Sequence, residues 1–490
     1  MTPLPSRDEA RPSVFADGMR ALRDDPLRRA VVVYLLGLIA LMPLPFGGWR
    51  DWTVTLVALL TAGYLLVVAV AVLAGRARLD RLTIAAVPAV FYALALIWAA
   101  LQTSDLPFLR PLWHPIWGEV ETALGVPVRG SISVDRFETW RRVISLGNYA
   151  GILMLGLYAI ADVRVARMMV RVLVYAATAY TLYGLAVEFT GAGVTLWYEK
   201  AERFRDVLTS TFKNRNNFAA YSGMALIAAT ALFLNDASNR RQTATRQATI
   251  VLIDRIWGLS WPLIMCAAII ATALLLTQSR AGLVSTMIGI VVLCGIVFLT
   301  PRIRPLRPRW LLIIGFVMFS VLLVMSGGHT AERIVVGLDA DDERFLVIPA
   351  VIQGIRDFLW GGTGLGSFED VHRLYRDAGV ETLFSQAHSD PLELTLELGL
   401  PAAAAMLFAL AWLVGLCFRE LRARRRGAIF PCIAVAVTIQ LGLHSLVDFS
   451  MQVPAVMVAY MILLACGLVR ADRPLSERAE RADFEHRPPK

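Results

Sequence analysis

The sequence predicts an all-α polytopic membrane protein with about twelve transmembrane helices. Two observations predict this fold class: the composition of the chain and its repeated apolar runs. Hydrophobic residues make up 57% of the 490 positions and charged residues only 18%, which is not the composition of a soluble domain. The chain is therefore expected to be solvated mainly by lipid.

The apolar runs have a length that suits transmembrane helices, because a hydrocarbon core of about 30 Å needs about 20 residues. They cover residues 30–48, 52–74, 82–101, 143–161, 168–190, 217–234, 259–277, 282–300, 310–326, 391–417, 429–447 and 453–469. The first run lacks a small-residue cleavage site, so it is predicted to be a retained helix that follows a polar tail over 1–29. The transmembrane domain is predicted over 30–470, and a charged, disordered tail over 471–490.

Arginines are concentrated in every second loop, which indicates the orientation of the chain. Loops rich in arginine stay in the cytoplasm, so both termini are predicted to be cytoplasmic. The arginines of these loops are Arg76, Arg78, Arg81, Arg164, Arg167, Arg240, Arg241, Arg246, Arg302, Arg304, Arg307, Arg309, Arg419, Arg422, Arg424, Arg425 and Arg426.

Three segments on the opposite, outer side are too long to be simple connections: 102–142, 191–216 and 327–390. The last is predicted to form an ordered cap, with a helix over 344–360 and a glycine turn over 361–366. Its glycine spacing is also compatible with a phosphate cradle, but no lysine or strand-to-helix context accompanies it, which favours a plain turn.

Composition also excludes several classes of function. The formal net charge of +9 comes from arginines that lie between apolar runs, so no nucleic acid partner is predicted. All five cysteines lie inside apolar stretches, where a thiol behaves as a small hydrophobic group. Histidine, cysteine and acidic residues do not occur at ligand spacing, so neither a metal nor another cofactor is predicted.

Charged and polar residues are instead concentrated at the outer ends of the predicted helices. They are Glu188, Arg215, Arg280, His388, Asp390, Glu393, His444 and Asp448. Charges near a bilayer are costly and are usually retained for function, so this set predicts a cavity that opens to the outer side. A transporter would be expected to place polar groups near the bilayer midplane on broken helices, which this pattern lacks.

Arg280 lies in a very short outer turn, where an arginine opposes the orientation rule. We interpret it as one half of an anion clamp with Arg215, because guanidinium groups match phosphate oxygens; the alternative is an arginine that extends to the lipid headgroups. Asn214 and Asn217 flank the start of the helix near Phe218, where they can donate to an anion or simply cap the helix.

His388 precedes the apolar run that starts near Pro391, and is a candidate general base because the usual pKa of histidine is about 6.5. The alternative is a histidine that only caps the helix. Asp390 and Glu393 are candidates for substrate binding. Glu393 and Glu397 lie one turn apart, where they can orient a base or an acceptor; the alternative is a pair of solvated charges at the membrane interface. Gln440, His444 and Asp448 share the spacing of one helix face, so His444 and Asp448 are predicted to pair as a structural contact.

At these residues the chain resembles the O-antigen ligase and O-antigen polymerase superfamily of bacterial membrane glycosyltransferases. The matching stretches occur in the order of the family. They are FKNRNNFAAY at 212–221, SRAG at 279–282, Arg344 with GTGLGSF at 362–368, AHSDPLELTLELGLP at 387–401, and HSLVDF at 444–449. The chain departs from the family pattern at Ser389, where asparagine is common, and at Ala402, where glycine is usual.

The resemblance implies a GT-C-like helical fold in the bacterial inner membrane, with the three long loops in the periplasm and the last of them capping the active site. It implies transfer of a glycan from undecaprenyl diphosphate without a metal. It assigns Arg280 and Arg215 to the diphosphate and His388 to the acceptor hydroxyl. Arg344 matches a further family position, and is a candidate for substrate binding.

The sequence thus predicts a glycosyltransferase that transfers or polymerises a lipid-linked glycan at the periplasmic face. The acceptor is a lipid A core for a ligase, another lipid-linked glycan for a polymerase, or a protein side chain; the sequence leaves these open. Two alternatives from other classes are a transporter of lipid-linked glycan and a non-catalytic scaffold of a polysaccharide assembly complex.

Overall fold

The computed structural model describes most of the chain. The described residues are 13–78, 82–191, 193–196, 198–200, 207–243, 249–300, 344–376, 384–423 and 427–469. Within them the regular secondary structure is helical apart from one short antiparallel hairpin, in which Val194–Thr195 pairs with Tyr198–Glu199. The side chains of residues 237–260, 344–346 and 423 are outside this description.

The first ten helices carry the amino-terminal two thirds of the described chain. They are α1 Val14–Arg20, α2 Pro26–Leu41, α3 Asp51–Leu73, α4 Ala86–Gln102, α5 Ile116–Leu124, α6 Arg136–Ala159, α7 Val163–Phe189, α8 Arg215–Thr243, α9 Thr249–Leu276 and α10 Arg280–Leu299. Short 3-10 turns lie at Phe46–Gly48, Leu82–Ala85 and Pro107–Leu112.

The carboxyl-terminal helices are shorter on average. They are α11 Arg344–Asp357, α12 Phe368–Tyr375, α13 Asp390–Leu398, α14 Leu400–Ala423, α15 Ile429–Ser445 and α16 Pro454–Leu468, with a 3-10 turn at Ser450–Gln452. The helix predicted over 344–360 is present, and it ends at Asp357.

Six helices in the described part of the chain are long and apolar enough to cross a bilayer, and further apolar helices are shorter. The prediction of an all-helical polytopic membrane protein is therefore confirmed. The long candidates are Asp51–Leu73, Leu82–Gln102, Val163–Phe189, Arg215–Asp236, Arg280–Leu299 and Leu400–Arg422. The apolar run at 310–326 lies outside the described residues.

Two predicted runs are divided by their turn-forming residues. Helix α2 ends at Leu41, inside the predicted run 30–48. The prolines at 43 and 45 cannot continue a helix, and Gly47 and Gly48 both adopt positive φ. The run 391–417 is broken at Gly399, whose φ is 76°. The membrane-crossing part of the second run therefore begins at Leu400, and the polar helix α13 stands apart from it.

The centre of the bundle is formed by α8 and α16, and helices such as α3 lie at its edge. Every residue of α16 is buried. Small residues permit close approach of the central helices: a Cβ added at Gly289 would lie 2.6 Å from Ile227 of α8 and 3.0 Å from Gln440 of α15. Van der Waals contact between closely packed helices is the main cohesive force in a lipid environment.

Candidate functional site

The starts of α8 and α10 lie at one end of the bundle, here called the loop face. Ser279 caps α10, its hydroxyl accepting the Gly282 N–H at 3.2 Å. A Cβ added at Gly282 would lie 2.5 Å from the Cβ of Ala219, so the first turn of α10 packs directly on the first turn of α8. The glycine of the SRAG motif is what permits this contact.

This packing brings the two predicted clamp arginines to the amino ends of adjacent helices. Arg215 is the first residue of α8 and is half-buried, and Arg280 is the first residue of α10 and is exposed. A helix amino end carries partial positive charge, so a cation there is unfavourable unless an anion is also bound. The two ends together offer guanidinium and backbone N–H donors to a phosphate group.

His388 lies in the turn before α13, in the left-handed backbone region with φ 51°. Its Nδ1 is 3.9 Å from the Asp448 Oδ1, and its side chain is 18% exposed. Its ring contacts Phe449 edge-on, with 5.3 Å between ring centres. The 3.9 Å separation is longer than a hydrogen bond, so the Asp448 carboxylate acts on His388 by charge, and Nδ1 has no hydrogen-bond partner among the described residues.

Asp448 connects His388 to the start of α8. Its Oδ2 accepts a hydrogen bond from the Asn216 amide, and its Oδ1 accepts the Phe449 N–H at 2.8 Å. Burial opposes ionisation of this carboxyl, but interactions with His388, His444 and the Phe449 N–H outweigh burial and hold the pKa of Asp448 below its usual range. A buried carboxylate that stays ionised can stabilise a protonated histidine beside it.

The prediction that Gln440, His444 and Asp448 share a helix face is wrong for Asp448. Helix α15 ends at Ser445, so Asp448 lies in the turn beyond it. His444 Nδ1 lies 2.7 Å from the Ser450 hydroxyl. Because Asp448 lies in this turn, its carboxyl faces His388 instead of lying on the helix face of Gln440 and His444.

Asp390 and Glu393, the predicted substrate ligands, are held by internal hydrogen bonds. The Gln452 amide donates to Asp390 at 3.2 Å and to Glu393 at 2.8 Å, while Arg142 donates to Gln452 at 2.8 Å. Glu393 also accepts the Ala387 N–H at 2.7 Å. These contacts fix the turn that carries His388, so the structure places both carboxyls as supports of that turn.

Burial raises the pKa of Asp390 and of Glu393, and the charge of Glu393 raises that of Asp390 further. Arg142 acts in the opposite direction on Glu393. Sequence analysis missed Gln452 and Arg142, and it placed Asn216 only within the FKNRNNFAAY stretch, because each is an ordinary polar residue whose partner is far away in the chain.

The glycine turn is filled by the protein itself. Gly362, Gly364 and Gly366 all have positive φ. A Cβ at Gly364 would lie 2.7 Å from the Ser133 Cα, and the Gly364 N–H donates to the Glu397 carbonyl at 3.0 Å. The structure thus agrees with a plain turn at this position, which docks the segment around Ser133 onto α13.

Glu397 is buried beneath this turn and accepts the Phe368 N–H at 3.1 Å. Burial and the nearby Glu393 raise its pKa from 4.5 to about 8. Between those two pH values the unfolded chain loses a proton that the folded chain keeps, so the free energy of unfolding falls as pH rises through this window.

Glutamine at position 397 keeps an acceptor oxygen but does not titrate. We therefore expect the free energy of unfolding of Glu397→Gln to fall less steeply with pH than that of the wild type. The measurement is the thermal midpoint of the detergent-solubilised protein from about pH 5 to about pH 9. Glu369→Gln, a change at an exposed carboxylate, serves as the control and should keep the wild-type slope. An unchanged slope for Glu397→Gln would contradict the assignment of Glu397 as a neutral group.

The remaining predicted residues divide into three groups. The first group is the two asparagines at the start of α8. Asn214 caps α8, because its side chain accepts the Asn216 N–H at 2.9 Å. Asn217 is buried, and its Oδ1 has no hydrogen-bond partner among the described residues. Arg344 is the first residue of α11, and its side chain is outside the described part. Glu188 pairs with Lys200 at 2.9 Å and is engaged there.

Among the described residues no group of three or more histidine, cysteine or acidic residues is placed to hold a metal ion.

Part of the chain is similar to a known protein family. Residues 265–407 match the family model described as O-antigen ligase. No curated protein matches the chain. The matched stretch includes Arg280, His388 and the glycine turn, whereas Arg215 and Asp448 lie on either side of it. The chain therefore carries an O-antigen ligase domain, which spans residues 265–407.

Proposed function

We propose that this protein is a glycosyltransferase that transfers or polymerises a glycan from undecaprenyl diphosphate onto an acceptor hydroxyl. The O-antigen ligase domain supports this class of reaction. The observation that carries the proposal is the linked arrangement of His388, Asp448 and Asn216, which sets a candidate base beside the helix that begins with Arg215.

In the proposed reaction His388 Nε2 takes the proton of the acceptor hydroxyl as its oxygen attacks the anomeric carbon of the donor glycan. The bond from that carbon to the diphosphate oxygen breaks, and undecaprenyl diphosphate leaves with the electron pair. Asp448 stabilises the imidazolium that forms. Arg215 and Arg280 stabilise the charge on the leaving diphosphate.

The proposal also includes the finer topology. About twelve transmembrane helices in a GT-C-like arrangement span residues 30–470, with both termini in the cytoplasm of a bacterium. The loop face is then periplasmic, and the segments 102–142, 191–216 and 327–390 form its loops, the last as a cap. The tails 1–29 and 471–490 are cytoplasmic.

Ligase and polymerase differ in the acceptor rather than in the chemistry. A lipid A core as acceptor makes the protein an O-antigen ligase, and a second lipid-linked glycan makes it a polymerase. A protein side chain would make it an oligosaccharyltransferase. The reaction needs no metal in this scheme, because fixed guanidinium groups provide the positive charge that a leaving diphosphate requires.

The test uses the purified full-length protein with lipid-linked glycan from its own strain, in the presence of EDTA. We expect undecaprenyl diphosphate to be released in the same amount as glycan is transferred, and the acceptor that supports release identifies the reaction. A transporter would move the intact lipid-linked glycan across proteoliposomes with no release. Release that stops in EDTA and returns with a divalent cation would contradict the metal-independent scheme.

A further inference from the structure

A concave surface lies on the loop segments, separate from the residues around His388. It is an open depression of about 520 Å³ between helix α5, the start of α6 and helix α12. Pockets of several hundred cubic ångströms that combine apolar walls with a few polar groups are typical of small-molecule sites. The lining includes Trp117, Asp135, Arg136, Phe137, Asp370 and Arg373, and we call it the α5–α12 cleft.

Two aromatic rings stand out in the apolar part of the α5–α12 cleft, beside the aliphatic side chains of Ile116, Val134 and Leu374. Phe137 is 75% exposed. The Trp117 ring is fixed, because its Nε1 donates to the Ser133 carbonyl at 3.2 Å and the Arg136 guanidinium lies 5.1 Å from the ring centre. Rigid aromatic rings provide a large contact area at low entropic cost and suit the C–H faces of a sugar ring.

Two carboxyl groups form the polar part. Asp135 uses one oxygen, Oδ1, to accept the N–H groups of Phe137 at 2.8 Å and Glu138 at 3.0 Å, and Oδ2 is its second acceptor. Asp370 lies close enough that the charge of Asp135, together with burial, raises the pKa of Asp370. Two adjacent carboxyls repel a phosphate and favour a neutral ligand that donates hydroxyl hydrogens.

Arg373 and Arg136 complete the lining without making it a phosphate site. Arg373 contacts Asp370 at 3.5 Å and Glu369 at 2.5 Å. Arg136 donates to the Gly130 carbonyl at 2.8 Å and to the Ser131 hydroxyl at 3.0 Å. Both guanidinium groups are thus already engaged by acceptors of the protein.

We propose that the α5–α12 cleft binds the neutral sugar units of the donor or product glycan at a distance from the reacting end. This inference rests on the proposed function for the identity of the ligand. Helix α6 leads from Arg136 in the cleft to Arg142, a rise of about 9 Å. Arg142 in turn contacts Gln452, which holds the Asp390 carboxyl next to the His388 turn. The cleft and the His388 turn are thus tied to the same helix, and a glycan of several sugars is the kind of ligand that is long enough to extend over the loop face from one to the other.

The test measures binding without chemistry. Oligosaccharides released by mild acid from the surface polysaccharide of the producing strain are titrated calorimetrically into the full-length protein in nanodiscs. We expect Phe137→Ala and Asp370→Asn each to weaken binding about tenfold, since a lost aromatic contact or hydrogen bond is of that size. Phe108→Ala changes a residue that is 71% exposed in the same loop segment and should bind as the wild type does.

The variants also separate this inference from the proposed function. His388→Ala should bind the oligosaccharide as the wild type does, whatever its transfer activity. Wild-type protein that fails to bind, or wild-type affinity in both Phe137→Ala and Asp370→Asn, would overturn the cleft assignment. A His388→Ala protein that still transfers glycan would overturn the reaction scheme and leave the cleft assignment standing.

Discussion

Replacing His388 by alanine is expected to lower glycan transfer by about a hundredfold to ten-thousandfold, the usual contribution of a general base. The reason is the position of the ring: Nδ1 lies 3.9 Å from the Asp448 carboxyl, and in the proposed scheme Nε2 takes the acceptor proton. Donor binding should change little, because the diphosphate is assigned to Arg215 and Arg280. The measurement is single-turnover release of undecaprenyl diphosphate at saturating donor, with donor affinity determined separately.

His388→Gln and His372→Gln form a matched pair for this experiment. Glutamine fills much of the space of histidine but cannot act as a base at neutral pH. His372 is a buried histidine of α12 that stacks on Phe368, with 5.6 Å between ring centres. We expect His388→Gln to lose transfer and His372→Gln to keep it. Full activity in both His388 variants would show that His388 is not the general base and would contradict the reaction scheme.

Sequence analysis pointed to some polar residues of the candidate site, but not to the contacts among them. Arg215, Arg280 and His388 stand out in the sequence because each is a charged or titratable residue next to an apolar run, where such groups are costly. The helical class followed from the same contrast between apolar runs and polar loops. These features are local, so a single sequence reveals them.

The contacts that position His388 could not be predicted because they are not local. Gln452 and Arg142 meet although 310 positions separate them in the chain, and Asn216 meets Asp448 across 232 positions. Nothing in the spacing of these residues indicates a partner. The helix break at Gly399 was missed for a related reason. A single glycine in an apolar run is compatible with a continuous helix, and the contact that matters here, the Trp360 carbonyl 2.6 Å from a Cβ added at Gly399, is visible only in the structure.

Replacing Arg280 by alanine is expected to lower transfer by about a hundredfold to a thousandfold, the effect of removing one group that stabilises charge in a transition state. Arg280 begins α10, which packs on the first turn of α8, so its loss leaves Arg215 and the backbone N–H groups to hold the diphosphate. Arg280→Lys should recover part of the activity, because an ammonium provides charge without the planar pair of donors. The assay compares kcat and KM for the donor in both variants.

Arg129→Ala provides the control for loss of positive charge, because Arg129 is an exposed arginine that pairs with Asp105 in a loop segment. An exposed pair of this kind contributes little, so transfer should stay at the wild-type level. If Arg280→Ala behaved in the same way, Arg280 would be an arginine that only reaches the lipid headgroups. A loss of transfer activity in Arg280→Ala alone, with partial recovery in Arg280→Lys, would instead indicate a cation that acts on the leaving diphosphate. A cation bound only to headgroups has no effect on the step that breaks the glycosyl bond.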